Sequence, residues 1–167
     1  MKKRGKEQPA KKSFIGPASM PRRIFAFILD LIIIRFIILV PFNSLLQRMI
    51  PADTIVEQLV FLQENPQVSG LISVISITIS IFVVLYFSYF EYKIQQTPGK
   101  MILGLQIVPQ QKATFGTYMI SNLTFIAAFP FTLLWIIDPI HMFISSKNQR
   151  LMERFTKLLV VQRYNFR

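Results

Sequence analysis

Two apolar runs constrain this chain more than any other feature of its sequence. The first extends from Ile24 to Phe42 and contains two charged residues, Asp30 and Arg35. The second extends from Leu71 to Phe90 and contains none. A bilayer core of about 30 Å is crossed by about 20 apolar helical residues. Both runs are therefore predicted to be transmembrane helices.

The composition favours a membrane location over a soluble fold. Hydrophobic residues make up 52% of the 167 residues and charged residues 16%, against roughly 25% charged residues in an average soluble protein. A soluble domain of this size cannot bury so much apolar surface. Because the chain has no cysteine, it has no disulfide framework, thiol nucleophile or thiolate metal site. We therefore expect a multi-pass protein of the cell membrane.

A third apolar segment, residues 118–144, is less regular because prolines interrupt it. Pro130 lies near its middle, and Asp138 and Pro139 lie near its end. A proline removes a helical hydrogen bond and clashes with the preceding turn, so a kink or break is predicted near Phe129. The predicted fold class is an all-α membrane protein with two transmembrane helices and this proline-broken third membrane segment. The segment forms either one kinked span or a re-entrant hairpin.

The distribution of lysine and arginine predicts which side of the membrane each connection occupies. Residues before the first span and after the third segment are strongly basic, whereas residues 43–70 contain one arginine and three acidic residues. Since basic residues stay on the cytoplasmic face, both chain ends are predicted to be cytoplasmic. An even number of crossings follows, which favours the re-entrant hairpin.

These patterns divide the chain into three sections. Residues 1–20 form a basic cytoplasmic arm that is predicted to be disordered. Its lysines and arginines are expected to contact anionic lipid headgroups, at about 1 kcal/mol each. Because aromatic residues do not alternate with them, nucleic-acid binding is not expected. A membrane domain (21–162, with spans at about 23–42, 70–90 and 118–144) and a C-terminal tail (163–167) follow.

Arg23 and Asp30 are the polar pair of the first span. They are seven residues apart, so they lie on one helix face about 10.5 Å apart along the axis. Ala26 lies between them and allows another helix to approach. A carboxylate inside a span costs roughly 2.5–3.5 kcal/mol, so Asp30 must be protonated, paired or facing a wet cavity. It is either a cation or proton site or a hydrogen-bonded anchor that fixes helix packing.

Glu91 continues a stripe of small hydroxyl residues along the second span. Such a stripe allows close helix packing and hydrogen bonds between helices. The simpler interpretation is that the stripe packs against the first span. The functional interpretation is that it lines an ion path. The other members of the stripe are Ser69, Ser73, Ser76 and Ser80.

The last apolar segment offers little catalytic chemistry. Asp138 before Pro139 is typical of a helix N-cap followed by proline at the first helical position. His141 follows three residues later, and one histidine with one aspartate is too few ligands for a metal site. No nucleophile–base pair or phosphate-binding glycine loop is recognisable. We expect neither an enzyme nor a bound metal or cofactor.

The segments between and after the apolar runs contain a turn and two strand-like runs. Pro98 and Gly99 mark a turn, and residues 103–108 and 158–161 are predicted to be short strands that can pair at the cytoplasmic surface. Arg150 and Glu153 stand three residues apart on a predicted helical turn.

Three of these motifs together resemble the RDD family of small membrane proteins. The first matches Arg23, Ala26 and Asp30, the second Thr97, Gly99, Lys100 and Gly104, and the third Arg150, Leu151, Glu153 and Arg154. Glu153 stands where the family usually has an aspartate, and Lys157 and Leu158 replace a glycine–threonine pair. The resemblance covers roughly residues 21–161. It implies a helical membrane protein for which transport of ions or small ligands is the usual suggestion.

Two functional hypotheses follow. In the first, an oligomer transports a cation, a proton or a small ligand. Asp30 binds it, and a cytoplasmic ionic cluster is coupled to this site. The cluster would consist of Arg23, Glu91, Arg150 and Glu153. In the second, the same residues only hold helices together, and the chain is an accessory or scaffold protein that acts through a membrane partner.

Overall fold

The computed structural model describes residues 13–50 and 54–165 of the chain. It is mostly helical, and its two long apolar helices are Met20–Met49 and Pro66–Ile94, whose apolar 18-residue stretches have mean hydropathies of 2.6 and 2.5. At a rise of 1.5 Å per residue, each is about 44 Å long. Both helices extend beyond the predicted spans, because the residues flanking each apolar run continue the same helix.

The first long helix changes its winding partway along. It consists of α1 (Met20–Ile34), a π-helical turn (Arg35–Leu39) and α2 (Val40–Met49). A shorter helix, α3 (Ile55–Glu64), precedes the second long helix, α4 (Pro66–Ile94). Thr54 and Glu57 form a capping box at the start of α3, which satisfies backbone N–H groups that a helix leaves unpaired.

The third apolar segment is broken at the predicted place. α6 (Phe115–Ser121) and a 3-10 turn (Leu123–Phe125) precede Pro130, and a second 3-10 turn (Phe131–Leu133) and α7 (Leu134–Ile144) follow it. The Thr124 hydroxyl donates to Asp138 across the break at 3.1 Å. The chain therefore turns back on itself between these two residues.

The predicted role of Asp138 as a helix N-cap is wrong. Asp138 and Pro139 lie inside α7, which begins at Leu134. The 3-10 turn before Leu134 leads directly into the helix, so no capping side chain is needed at Asp138. Its carboxylate instead accepts hydrogen bonds from distant parts of the chain, including the backbone N–H of Met152 at 2.8 Å.

A three-stranded antiparallel sheet joins the two ends of the described chain to its middle. β1 (Ser13–Pro17) and β2 (Leu105–Pro109) both pair with the central strand β3 (Leu158–Asn165). The two strand-like runs of the sequence thus lie in neighbouring strands. Short helices precede them, α5 (Pro98–Ile102) before β2 and α8 (Leu151–Phe155) before β3.

The structure changes two predicted boundaries. Residues 13–17, assigned to the disordered arm, form β1, and residues 163–165, assigned to the tail, extend β3. Ser13 pairs with Asn165 and Pro17 with Val161. The backbone N–H and C=O groups of each strand bond to those of the other. The sequence of either short segment does not indicate this long-range pairing on its own. Of the rest of the predicted arm, residues 1–12 lie outside the described residues, and residues 18–20 lead from β1 into α1.

The sheet packs against the start of α1 and against α6. Its inward side chains form a small apolar core with one residue from each of these helices and the residue after β1. The buried members are Ala18, Ala26, Leu105, Ile107, Tyr118, Leu158 and Val160. This core fixes the sheet at one end of the long helices, next to Arg23 and Glu91.

Candidate functional site

Arg23 lies in the first turn of α1, where the helix leaves the sheet. Its side chain is 6% exposed, and Nη2 donates to both carboxylate oxygens of Glu153 in α8. A hydrogen bond between a guanidinium and a carboxylate is charge-assisted and roughly twice as strong as one between neutral groups. The contact therefore fastens α8 to the beginning of the first long helix.

Glu153 is shared between two arginines. Arg150 donates from Nε to Oε1 of Glu153 at 3.0 Å. Burial alone raises the pKa of Glu153, but the charges of Arg23 and Arg150 outweigh it and hold this pKa at about 2. Conversely, burial lowers the pKa of Arg150, while Glu153 and Asp138 raise it to a net value above its ordinary one. Both side chains stay ionised at neutral pH.

Asp138 connects this group to the broken third segment. Its Oδ2 lies 3.8 Å from Arg150 Nη1 and accepts the Thr124 hydroxyl. Its Oδ1 accepts the Met152 N–H. With 1% of its surface exposed, Asp138 holds α7, the 3-10 turn before the break and α8 together.

Glu91 and Lys100 form a further ion pair, which does not include Arg23, Arg150 or Glu153. Lys100 Nζ lies 2.6 Å from Glu91 Oε1, and Asn122 Nδ2 donates to Glu91 Oε2 at 2.8 Å. The second long helix is thus tied both to α5 and to the end of α6. Glu91 is 1% exposed, so this pair is shielded from water.

Asp30 accepts hydrogen bonds from three uncharged groups. The donors are the Gly99 backbone N–H at 2.9 Å, the Thr97 hydroxyl and the Tyr86 hydroxyl at 3.2 Å. Among the described residues, no cation lies within 4.0 Å of this carboxylate. Asp30 therefore anchors the segment after α4 against α1 through uncharged donors, and no cation of the described residues is in direct contact with it.

The turn around Gly99 explains why this anchor forms. Thr97 caps α5 by accepting from the Lys100 N–H at 3.3 Å, and its hydroxyl proton is then directed to Asp30. A Cβ added at Gly99 would collide with the carbonyl oxygen of Ala26 and lie 2.9 Å from the Asp30 Cγ. Only glycine allows α5 to lie this close to α1.

Seven charged side chains line one cavity of about 490 Å³ between α1, α4, α7 and α8. We call them the ionic cluster. Three are cations and four are carboxylates: Arg23, Lys100, Arg150, Asp30, Glu91, Asp138 and Glu153. No three side chains of His, Asp or Glu within residues 13–50 and 54–165 are arranged to hold a metal ion.

The model of the RDD family matches residues 17–157. The chain belongs to the RDD family. The match covers most of the sequence, and with the two long apolar helices it makes the chain a membrane protein. No curated protein and no solved structure matches it.

The motif residues of this RDD protein occupy three neighbouring places. Arg23, Asp30, Glu91, Arg150 and Glu153 line the same cavity. Thr97 and Gly99 bind Asp30, and Lys100 binds Glu91. Gly104 lies apart, in the turn that ends α5, with a φ of +66°.

Sequence reasoning missed several members of this RDD site. The sequence predicts a cap at Asp138 and gives Lys100 only as part of a family motif. It does not indicate a role for Tyr86, nor for Asn122 and Thr124, the polar residues of the third apolar segment. The polarity of these residues was the available signal, since polar side chains inside a membrane protein usually face its interior and pair with one another.

Proposed function

We propose that this RDD protein transports a cation or a proton as an oligomer, and that Asp30 with the ionic cluster forms its binding site. The charge balance of the cluster carries the proposal. With every group ionised, four carboxylates face three cations, so the cavity has a net charge of −1. A buried site with excess negative charge favours a cation or a proton.

Asp30 is the group of the cluster best suited to bind the transported ion. The other three carboxylates have a cation within 4.0 Å, whereas the donors to Asp30 are uncharged. A carboxylate inside a membrane protein is expensive unless its charge is compensated. A bound cation or proton would compensate the charge of Asp30, and its release would complete a transport step.

The proposed topology has two spans and a re-entrant hairpin, with both chain ends in the cytoplasm. The pairing of Ser13 with Asn165 supports an even number of crossings, because paired strands lie on one side of a membrane. The return of the chain from Thr124 to Asp138 supports the hairpin. The basic flanks support the cytoplasmic orientation.

An oligomer is proposed because one chain has too few helices to enclose a pathway. The two long helices also have many exposed apolar side chains, which suit contact with lipid or with a second copy. The role is proposed to be non-enzymatic, since the hydroxyls beside the cluster carboxylates, those of Thr97 and Thr124, hold Asp30 and Asp138 in place.

The test is ion flux in proteoliposomes that contain purified protein and an internal pH-sensitive dye. A proton gradient is expected to change the internal pH, and a gradient of Na⁺, K⁺ or Li⁺ is expected to change either the internal pH, if the cation exchanges for protons, or the signal of an internal dye for that cation. Asp30→Asn should abolish this flux, whereas Glu64→Gln, an exposed carboxylate in α3, should retain it. Equal flux in wild type and Asp30→Asn would make the assignment of Asp30 wrong.

A second variant guards against a folding defect. Tyr86→Phe removes one of the three donors to Asp30 and keeps the ring, so the protein should fold and the pH dependence of flux should shift. If the wild type carries no flux and co-purifies with a stoichiometric membrane partner, the transport proposal fails in favour of an accessory role.

A further inference from the structure

Arg35 is a charged residue near the middle of the first apolar run, which extends from Ile24 to Phe42. At a rise of 1.5 Å per residue, it lies about 16 Å from Ile24 and about 10 Å from Phe42 along the helix axis. It is therefore within about 3 Å of the midpoint of the run. In a helix that crosses a bilayer, this position places a guanidinium close to the centre of the hydrocarbon core.

The Arg35 side chain has no partner within residues 13–50 and 54–165. It is exposed, and none of the ion pairs includes it. No hydrogen bond and no ring contact joins this side chain to another residue in that part of the chain. An arginine cannot lose its proton in a protein, so burial in hydrocarbon is costly. Ionisable residues inside membrane spans almost always pair with another group.

The backbone and the surface around Arg35 also differ from the rest of the helix. The π-helical turn Arg35–Leu39 begins at this residue, and such turns inside α-helices are frequent at functional sites. Ile28, Leu31 and Ile32 lie one or two turns before Arg35 on the same side of α1 and are 42–47% exposed. We call Ile28, Leu31, Ile32 and Arg35 the Arg35 face. It is an apolar surface that ends in one cation.

We propose that the Arg35 face binds a transmembrane helix of another protein, and that this helix has a carboxylate at the depth of Arg35. The carboxylate compensates the charge of the guanidinium and accepts its hydrogen bonds. The apolar side chains of the face pack against the same helix. A neutral polar side chain would accept the hydrogen bonds but leave the charge uncompensated. The partner is thus defined by one acidic residue near the centre of its span.

A second copy of this chain does not supply the carboxylate. Four of the described carboxylates are buried in the ionic cluster, and Glu57 caps its own helix. Glu64 precedes α4, which runs antiparallel to α1 with Tyr86 beside Asp30. The start of α4 is about 30 Å from Tyr86, and Arg35 is about 7.5 Å from Asp30 in the same direction. Since equivalent residues of a closed oligomer in a membrane lie at equal depths, Glu64 of a copy remains about 20 Å from Arg35 along the axis.

A lipid phosphate is a poor partner for Arg35 as well. The closer end of the apolar run is Phe42, on the C-terminal side, whereas the Cα–Cβ bond of a helical residue is tilted toward the N-terminus. Arg35 has a φ of −54° and a ψ of −49°, so its side chain starts toward the more distant end. Arginines near helix ends reach the headgroups, but Arg35 is not near an end.

Arg35 does not line the cavity of the ionic cluster, so this inference goes beyond the proposed transport. Flux is measured on the purified protein alone, and association with a partner helix needs no ion gradient. Loss of flux in Asp30→Asn without a change in association, or the reverse, separates the two proposals.

The experiment uses a synthetic transmembrane peptide as a defined partner. The peptide has about 20 leucine and alanine residues, a dansyl group and a glutamate at its centre. Because Arg35 lies near the midpoint of its own span, a central glutamate matches its depth in either orientation of the peptide. Full-length protein and peptide are reconstituted in phosphatidylcholine vesicles at pH 8. Energy transfer is measured from Trp135, the chain's single tryptophan, to the dansyl group.

Matched peptides and variants connect the signal to Arg35. Peptides with glutamine or leucine at the central position lack the charge of the glutamate peptide. We expect the wild type to bind the glutamate peptide at least tenfold more tightly than either. Arg35→Leu should lose this preference, and Arg35→Lys should keep part of it. Arg48→Leu, at an exposed arginine close to the end of α2, should leave the preference unchanged.

Four results would overturn the inference. The first is equal binding of the glutamate and leucine peptides by the wild type. The second is a preference that persists in Arg35→Leu, which retains the fold because Arg35 has no side-chain partner to lose, or that is lost equally in Arg48→Leu. The third is self-association of the wild type that disappears in Arg35→Leu, which would assign Arg35 to a contact between copies. The fourth is an unfolding midpoint that rises with phosphatidylglycerol in the wild type but not in Arg35→Leu, which would assign Arg35 to a lipid phosphate.

Discussion

Arg23 and Glu153 are 130 residues apart in the sequence, and Arg23 Nη2 contacts both oxygens of the Glu153 carboxylate. This contact joins the first and the third motif of the family. Arg150 donates to the same carboxylate from within the third motif. Glu153 is thus the point at which α1 and α8 depend on each other.

Replacing Glu153 with glutamine should destabilise the protein strongly. Removing one partner of a buried ion pair leaves the other charge uncompensated, at a cost of about 3–5 kcal/mol. The midpoint of thermal unfolding in detergent should fall clearly below that of wild type. Glu153→Asp keeps the charge on a shorter side chain and should lie between the two. An unchanged midpoint in Glu153→Gln would show that the contact contributes little.

The contribution of Glu153 should depend on pH in a defined window. Its pKa is lowered from 4.5 to about 2 in the folded protein, so the folded state favours the ionised form. The stabilisation is fully present above pH 4.5 and is lost as the pH falls toward 2. The difference in unfolding midpoint between wild type and Glu153→Gln should therefore narrow over this range. A constant difference down to pH 2 would contradict the pKa shift.

Gly99→Ala should disrupt the contact between α5 and α1. The added methyl would meet the Ala26 backbone and the Asp30 side chain, and overpacking of this kind costs about 1–3 kcal/mol or more. Gly70→Ala is the matched control, since nothing lies within 4 Å of a Cβ at that position of α4. It should stabilise the helix by about 0.5–1 kcal/mol. Opposite shifts of the two unfolding midpoints are expected, and similar shifts would argue against the close approach at Gly99.

Gly104→Ala should be destabilising for a different reason. Its φ of +66° lies in the left-handed region, which costs a residue with a Cβ about 1–2 kcal/mol. No atom lies within 4 Å of a Cβ there, so the loss is conformational rather than steric. Gly104→Asn should lose less stability than Gly104→Ala, because asparagine tolerates this conformation better. Equal losses in the two variants would contradict this explanation.

The sequence was most informative where local patterns decide the structure. Long apolar runs located both long helices, and Pro130 located the break, because each effect acts within a limited stretch of the chain. The grouping of Arg23 with Glu153 followed from family motifs rather than from any local pattern. Motif membership carries long-range information that periodicity does not.

The features that were missed depend on the return of the chain after Pro130. Asp138 looks like a cap in sequence, and only the fold brings it to Thr124 and Arg150. β1 was missed for a similar reason, since its partner lies at the other end of the chain. The π-helical turn Arg35–Leu39 has no signal in the apolar run that contains it.

The absence of a side chain at Gly99 has a mechanical consequence. With α5 resting on the backbone of α1, and β2 following α5 within a few residues, these three elements are expected to move as one rigid body. α7 forms another side of the cavity, and the irregular backbone around Pro130 separates α7 from α6. We therefore expect any motion that opens the cavity to involve α7, whose hydrogen bonds to the rest of the site are made by Asp138 and His141.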